Sequence, residues 1–257
     1  MLAALLRIGW AGKRQSRLGL ALLLLAASSS AAQPLDPRYR VFRPDTPGPH
    51  PAVVFVSGCD GFAPAAAPAR YERRAEHLRA QGYVVVFADY LGRRGLKSCA
   101  AAITHEEAAR DVVAAATWLG SQAGVDRGRI IAMGWSYGGR AVLVALARRT
   151  EGPAAFSRAV VYYPDCRALQ PWRATIPVLM LLGRADDMTP AQLCQEAVAK
   201  VAPPAAVRIV VYPGALHGFD NPDLPARVRS GFSTVGYHAE AAASAQREVD
   251  QFLRAAR

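Results

Sequence analysis

Histidine and cysteine are scarce in this chain, with five His and four Cys in 257 residues. The cysteines stand at 59, 99, 166 and 194, so there is no C-x-x-C pair and no zinc-ligand spacing. Dithiol redox chemistry and zinc-ribbon folds are set aside on that ground, and no metal site is expected. Dense blocks of like charge are missing too, although the formal net charge is +11. The excess is mostly arginine scattered along the chain. No nucleic-acid recognition motif accompanies it, so no nucleic-acid partner is expected. Internal repeats, low-complexity linkers and breaks in composition are absent from residues 52–257, which argues for one domain.

What is present begins with an apolar N-terminus. Arg7, Lys13, Arg14 and Arg17 precede a run of about ten apolar residues from Leu18 to Ala27, followed by Ser28 to Ala32 and Gln33. A basic region, a short apolar core and a small-residue cut site describe a secretory signal peptide over residues 1–32, with the mature domain over 33–257. The run is short for a span of about 20 residues, so cleavage is expected rather than stable membrane insertion. Removing those four cations lowers the formal charge from +11 to +7. The expected location is periplasmic or secreted.

Residues 34–51 carry six prolines and read as an entry segment with one edge strand, Tyr39 to Phe42. After that, apolar runs and helical patterns alternate. Strands are expected at 52–56, 83–89, 129–133, 159–163, 177–182 and 207–212. Helices are expected at 69–81, 104–119, 141–147, 191–201 and 237–256. Thr104 and Glu107 have capping-box spacing at the start of the second helix. The strands are continuous apolar runs rather than alternating ones. That is the pattern of a mainly parallel sheet covered by helices on both faces. In such α/β folds ligands sit beyond the carboxyl ends of the strands.

Gly134-Trp135-Ser136-Tyr137-Gly138-Gly139 lies between an expected strand and an expected helix. Gly-x-Ser-x-Gly in that setting is a nucleophile elbow. The serine hydroxyl must stand clear of the backbone to attack a carbonyl, so the turn is sharp. Glycines on either side allow strand and helix to approach closely. The next N–H, that of Tyr137, is then one donor to a developing oxyanion. Gly58-Cys59-Asp60-Gly61, past the first core strand, is positioned to supply the second through the backbone N–H of Cys59.

Two further strand ends carry polar groups. Asp186 and Asp187 follow the strand ending at Leu182, and His217 follows the strand ending at Tyr212. The other four histidines fall in the entry loop or on expected helices. Neutral serine is a weak nucleophile, so His217 would accept its proton and later return it to the leaving group. A carboxylate would hold the imidazole in the correct tautomer. Spacing alone leaves the choice between Asp186 and Asp187 open, the other being expected to cap the helix near Pro190. An exported chain with an even cysteine count permits two disulfides. Cys59–Cys99 and Cys166–Cys194 are expected, because each pair joins loops at one end of the sheet.

These residues resemble the dienelactone hydrolase family of the α/β-hydrolase superfamily. The likeness covers roughly residues 50–255. It rests on Ser57-Gly58-Cys59-Asp60-Gly61, Ala88-Asp89-Tyr90, the elbow at Ser136, Gly183-Arg184-Ala185-Asp186-Asp187-Met188-Thr189-Pro190, and His217-Gly218-Phe219. The resemblance implies an α/β-hydrolase fold in one compact domain without a large lid. It selects Asp186 as the acid, since Pro190 follows it by four residues. It also implies an arginine after the second core strand that grips a substrate carboxylate, a place held here by Arg93 or Arg94. The chain departs from the founding enzymes in having serine, not cysteine, at the elbow. It also has Ser57-Gly58-Cys59 where many relatives have His-Gly-Cys, and it is expected to be exported.

The expectation is therefore a serine hydrolase acting on a small-molecule carboxylic ester or lactone through an acyl-enzyme, with no cofactor. Candidate pocket walls are Phe62, Tyr90, Arg93, Trp135, Tyr137 and Phe219. A peptidase or amidase would use the same three side chains. A non-catalytic binding protein of this fold would need none of them.

Overall fold

A computed structural model describes residues 39–62, 69–99, 103–147, 156–167, 175–200 and 207–255. All of these belong to one compact unit, 32–257. The expected signal peptide, the loop at 63–68 and the expected helix ends at Val201 and Ala256 lie outside the described residues.

Among the described residues, seven strands form the main sheet: β1 (Arg40–Phe42), β2 (His50–Val56), β3 (Val84–Phe87), β4 (Val125–Trp135), β5 (Arg158–Tyr162), β6 (Val178–Gly183) and β7 (Val207–Tyr212). Their order is β1-β3-β2-β4-β5-β6-β7. β1 runs antiparallel to β3 at one edge, and all other neighbours are parallel. The continuous apolar runs have a simple cause: both sheet faces are buried. In β2, Ala52, Val54 and Val56 join one core cluster, while Val53 and Phe55 join the other. Burying one such Val or Phe side chain contributes about 1.5–3 kcal/mol.

Helices α1 (Ala69–Ala80) and α5 (Ala239–Arg254) cover the Phe55 face through Tyr71, Ala75, Leu78, Ala245 and Val249. Helices α2 (His105–Gly120), α3 (Ser136–Ala147) and α4 (Ala191–Ala199) cover the opposite face through residues such as Val112, Leu119, Val142, Leu143 and Cys194. The Thr104–Glu107 capping box forms as expected: Glu107 N–H donates to Thr104 Oγ1, and Glu107 Oε2 accepts from Thr104 N–H. Both expected disulfides, Cys59–Cys99 and Cys166–Cys194, are present.

Some boundaries differ from the sequence reading. β4 begins at Val125 rather than Arg129, and α3 begins at Ser136 itself rather than Ala141. The polar residues Asp126 to Arg129 hide a strand start that pairs with β2 at His50. The last helix begins at Ala239 rather than Tyr237, because the His238 ring accepts from Ala241 N–H as its N-cap. A small antiparallel hairpin, β8 (Val228–Ser230) and β9 (Ser233–Val235), was not expected at all.

Candidate active site

The elbow follows from steric necessity. Ser136 is the first residue of α3 and has φ of +50°, a left-handed backbone that costs a non-glycine residue energy. A Cβ on Gly134 would lie 2.6 Å from the Gly138 carbonyl oxygen, and one on Gly138 would lie 2.2 Å from that of Ser57. Only glycine fits at either place. The tight packing aims the serine side chain out past the carboxyl end of β4.

Three chain-distant side chains meet there. Ser136 Oγ is 2.9 Å from His217 Nε2, and His217 Nδ1 is 2.8 Å from Asp186 Oδ2. With the Nδ1 proton facing the carboxylate, Nε2 is free to accept from the serine hydroxyl. The Asp186 side chain is wholly buried and that of His217 is 9% exposed, so water competes little for these contacts. Asp186 is held firmly. Its Oδ1 accepts from the N–H groups of Met188 at 2.9 Å and Thr189 at 2.8 Å. This geometry can carry a proton from serine to imidazole and stabilise the resulting cation.

Asp187 does something else. Its Oδ1 accepts from Thr234 N–H at 2.9 Å, tying the β8–β9 hairpin to the loop after β6. It does not cap α4, whose N-terminus at Pro190 has no side-chain cap. That corrects the expected division of labour between the two aspartates.

The proposed oxyanion groups flank the serine. Tyr137 N–H lies in the first turn of α3, where no helical acceptor exists for it. Gly58 sits against the serine, since a Cβ there would be 3.5 Å from Ser136 Cβ. The turn holding Cys59 is fixed from three sides. Gly61 N–H donates to the Gly58 carbonyl, Gly58 N–H donates to the Tyr71 hydroxyl at 2.9 Å, and the Tyr90 hydroxyl donates to the Gly58 carbonyl at 2.9 Å. Cys59 is further tied to Cys99.

Several expected wall residues have other duties. Trp135 is 1% exposed, and its ring stacks on Tyr162 in the core beneath the site. It is a packing residue: it ends β4 with its side chain in the core cluster of Phe55 and Tyr162. Phe62 stacks on Phe87, and Phe219 is wholly buried among Tyr162, Tyr163 and Tyr212. Tyr90 is buried and supports the Gly58 loop, and burial raises its phenol pKa. Arg93 donates to the Tyr39 hydroxyl and lies 3.8 Å from Asp111, while Arg94 donates to the Tyr90 carbonyl and also pairs with Asp111. Both guanidinium groups are thus engaged within the fold. Tyr137 is half-buried, and its ring stacks on His105 at 4.0 Å.

Four residues emerge only from the coordinates. The Thr189 hydroxyl lies 2.8 Å from Asp186 Oδ2 and 3.0 Å from His217 Nδ1. Tyr163, with φ of +36°, lays its ring 4.5 Å from that of His217. The Tyr163 hydroxyl donates to Asp220 Oδ1, and Trp135 Nε1 donates to Asp220 Oδ2 at 2.8 Å. The Arg70 guanidinium lies 4.0 Å from Asp220 and 2.7 Å from Asp60. Asp220 therefore links Trp135, the residue before Ser136, to the tyrosine beside His217. Burial, reinforced by the Asp220 charge, pushes the Tyr163 phenol well up in pKa and keeps it a donor. Nothing in the spacing announced this network, since its members come from α1, β4, the residue just past β5 and the loop after His217.

Comparison with known proteins gives a family and a fold. The sequence model of the dienelactone hydrolase family matches residues 38–257. An uncharacterised protein of Mycobacterium tuberculosis H37Rv is 32% identical over 199 residues, covering 69% of this chain and 66% of its own length, just under two thirds. A solved structure described as a dienelactone hydrolase from Klebsiella pneumoniae superposes with a TM-score of 0.63 at 21% identity, covering 82% of this chain and 90% of its own. Esterase 2 of Thermogutta terrifontis, phosphorylated by paraoxon, superposes with a TM-score of 0.61 at 22% identity, covering 84% and 87%. At such identities the structural likeness speaks to the fold.

Proposed function

This chain belongs to the dienelactone hydrolase family, and we propose that within it the protein is a serine hydrolase that cleaves carboxylic esters or lactones through an acyl-enzyme. The observation that carries this reading is the unbroken relay Ser136 Oγ to His217 Nε2 at 2.9 Å and His217 Nδ1 to Asp186 Oδ2 at 2.8 Å.

The steps follow from those contacts. Ser136 attacks the ester carbonyl as His217 Nε2 takes its proton. The negative charge moves to the carbonyl oxygen, where the N–H groups of Cys59 and Tyr137 receive it. His217 then gives the proton to the departing alcohol oxygen, and the acyl group stays on Ser136. Water repeats the sequence with His217 again as base, releasing the acid and restoring the serine. Asp186 fixes the imidazole tautomer throughout and offsets its transient charge. No step calls for a metal or organic cofactor.

Secretion to the periplasm or the medium is part of the proposal. The two disulfides support it, because such bonds persist in oxidising compartments. Among the described residues no helix is long and apolar enough to cross a membrane.

A fluorophosphonate probe tests the chemistry. The reading predicts covalent labelling that maps to the peptide containing Ser136 and is lost when His217 is replaced by Ala. Labelling elsewhere, or none, would contradict it. Matched aryl ester and anilide substrates separate an esterase from an amidase.

A further inference from the structure

The β8–β9 hairpin is not used by this chemistry, yet it is built into the site. Its far strand is held by Thr234 N–H on Asp187 at 2.9 Å, by Gly236 N–H on the His217 carbonyl at 3.0 Å, and by a bridge between Val235 and His217. Val235 and Thr234 are buried, whereas residues 225–232 are all exposed. The base of the hairpin is thus anchored to the catalytic histidine loop, and its tip stands in solvent.

The tip has an unusual composition. Phe232 is 100% exposed and Val228 is 40% exposed, and these are the exposed large hydrophobic residues among those described. Gly231 and Phe232 form a two-residue turn between Ser230 and Ser233, with φ of +61° at Gly231. A positive φ at the first turn position suits the twist of a tight hairpin and requires glycine. Arg227 and Arg229 flank Val228, both are exposed, and residues 224–235 contain no acid. A fully exposed aromatic ring with two exposed cations beside it on the same hairpin matches an anionic surface whose interior is apolar.

We propose that this hairpin docks the protein on anionic phospholipid surfaces, with Phe232 entering the acyl region and Arg227 and Arg229 meeting the headgroups. Docking through β9 brings the His217 loop close to the lipid. The inference does not depend on the esterase reading, because partitioning is measured without substrate.

The test is co-sedimentation of the full chain with vesicles of phosphatidylcholine and phosphatidylglycerol in equal parts, against pure phosphatidylcholine. The wild type is expected to partition to the anionic vesicles and to be released by salt. Phe232→Ser should weaken partitioning by roughly tenfold, the scale expected for losing one buried aromatic ring. Arg227→Gln with Arg229→Gln should weaken it by roughly thirtyfold. Turnover of a soluble ester and the thermal midpoint should stay at wild-type values in each variant, showing that the fold survives. Indole emission of a Phe232→Trp variant should shift to shorter wavelength on adding anionic vesicles. Absence of partitioning, equal partitioning of wild type and Phe232→Ser, or an emission unchanged by anionic vesicles would overturn the proposal. All variants carry the same N-terminus, so its contribution cancels in each comparison.

Discussion

The hydroxyl of Thr189 lies 2.8 Å from Oδ2 of Asp186, the same oxygen that lies 2.8 Å from His217 Nδ1. Its single hydrogen has two acceptors in reach, that oxygen and the Tyr163 carbonyl at 3.1 Å. Either way Thr189 fixes the floor on which the acid rests. Thr189→Val keeps the shape and removes the hydrogen bonds. A hydrogen bond to a charged group contributes about 1.5–3 kcal/mol. A fall in kcat of about ten- to a hundredfold with little change in KM is therefore predicted, measured on a soluble aryl ester. An unchanged kcat would show that the backbone N–H groups of Met188 and Thr189 suffice.

The two adjacent aspartates give a sharper contrast. Asp186→Asn should lower kcat by about four orders of magnitude, because the amide favours the wrong imidazole tautomer. Asp187→Asn should leave turnover within a few-fold of wild type, since this side chain holds the hairpin at Thr234. Steady-state kinetics of the two variants side by side decide the matter, and reversed effects would reassign the acid.

Asp220 is predicted to matter for stability. Replacing it with Leu strands the Trp135 N–H and the Tyr163 hydroxyl hydrogen in a buried setting, while Arg70 keeps Asp60. Leaving a buried donor without its partner costs about 1–3 kcal/mol. Urea unfolding should show a loss of that size. A loss under about 1 kcal/mol would mean that the network is solvated.

Each disulfide constrains the unfolded chain over a long loop, with sequence separations of 40 and 28. On chain entropy each contributes about 3–4 kcal/mol. Paired Cys-to-Ser replacement of Cys166 and Cys194 should lower stability by that amount and spare kcat. The same replacement of Cys59 and Cys99 should lower kcat as well, because the proposed oxyanion donor is the Cys59 backbone. Equal effects of the two pairs on kcat would argue against that donor.

Burial, and then the neighbouring Arg140 guanidinium, hold His105 below the ordinary histidine range. The unfolded chain therefore takes up a proton that the folded chain resists. Stability then rises with pH across this window. On acidification the loss should begin near the ordinary value of about 6.5 and level off below the folded value. Urea midpoints across that range should fall less for His105→Gln than for wild type, and equal falls would contradict the assignment.

The parallel sheet was legible because strands buried on both faces cannot alternate, as Val84–Phe87 and Val178–Gly183 illustrate. The meeting of Ser136, Asp186 and His217 was legible because each follows such a run, and sheets of this kind gather their strand ends. The disulfide pairs followed from the same placement. What escaped depended on contacts between distant segments. Asp220 gained its meaning from Trp135 and Tyr163, which lie 85 and 57 residues away. Trp135 misled as a wall residue because it ends β4 with its ring in the core, and the turn then carries Ser136 away from it. The hairpin at 228–235 was invisible because its strands are three residues long and its first strand is wholly exposed.

Turnover of a soluble short-chain aryl ester by wild type and by Ser136→Ala tests the account most directly. The relay predicts a fall of about four to six orders of magnitude in kcat, with the thermal midpoint preserved. A folded Ser136→Ala protein that keeps more than about a tenth of wild-type kcat would contradict it.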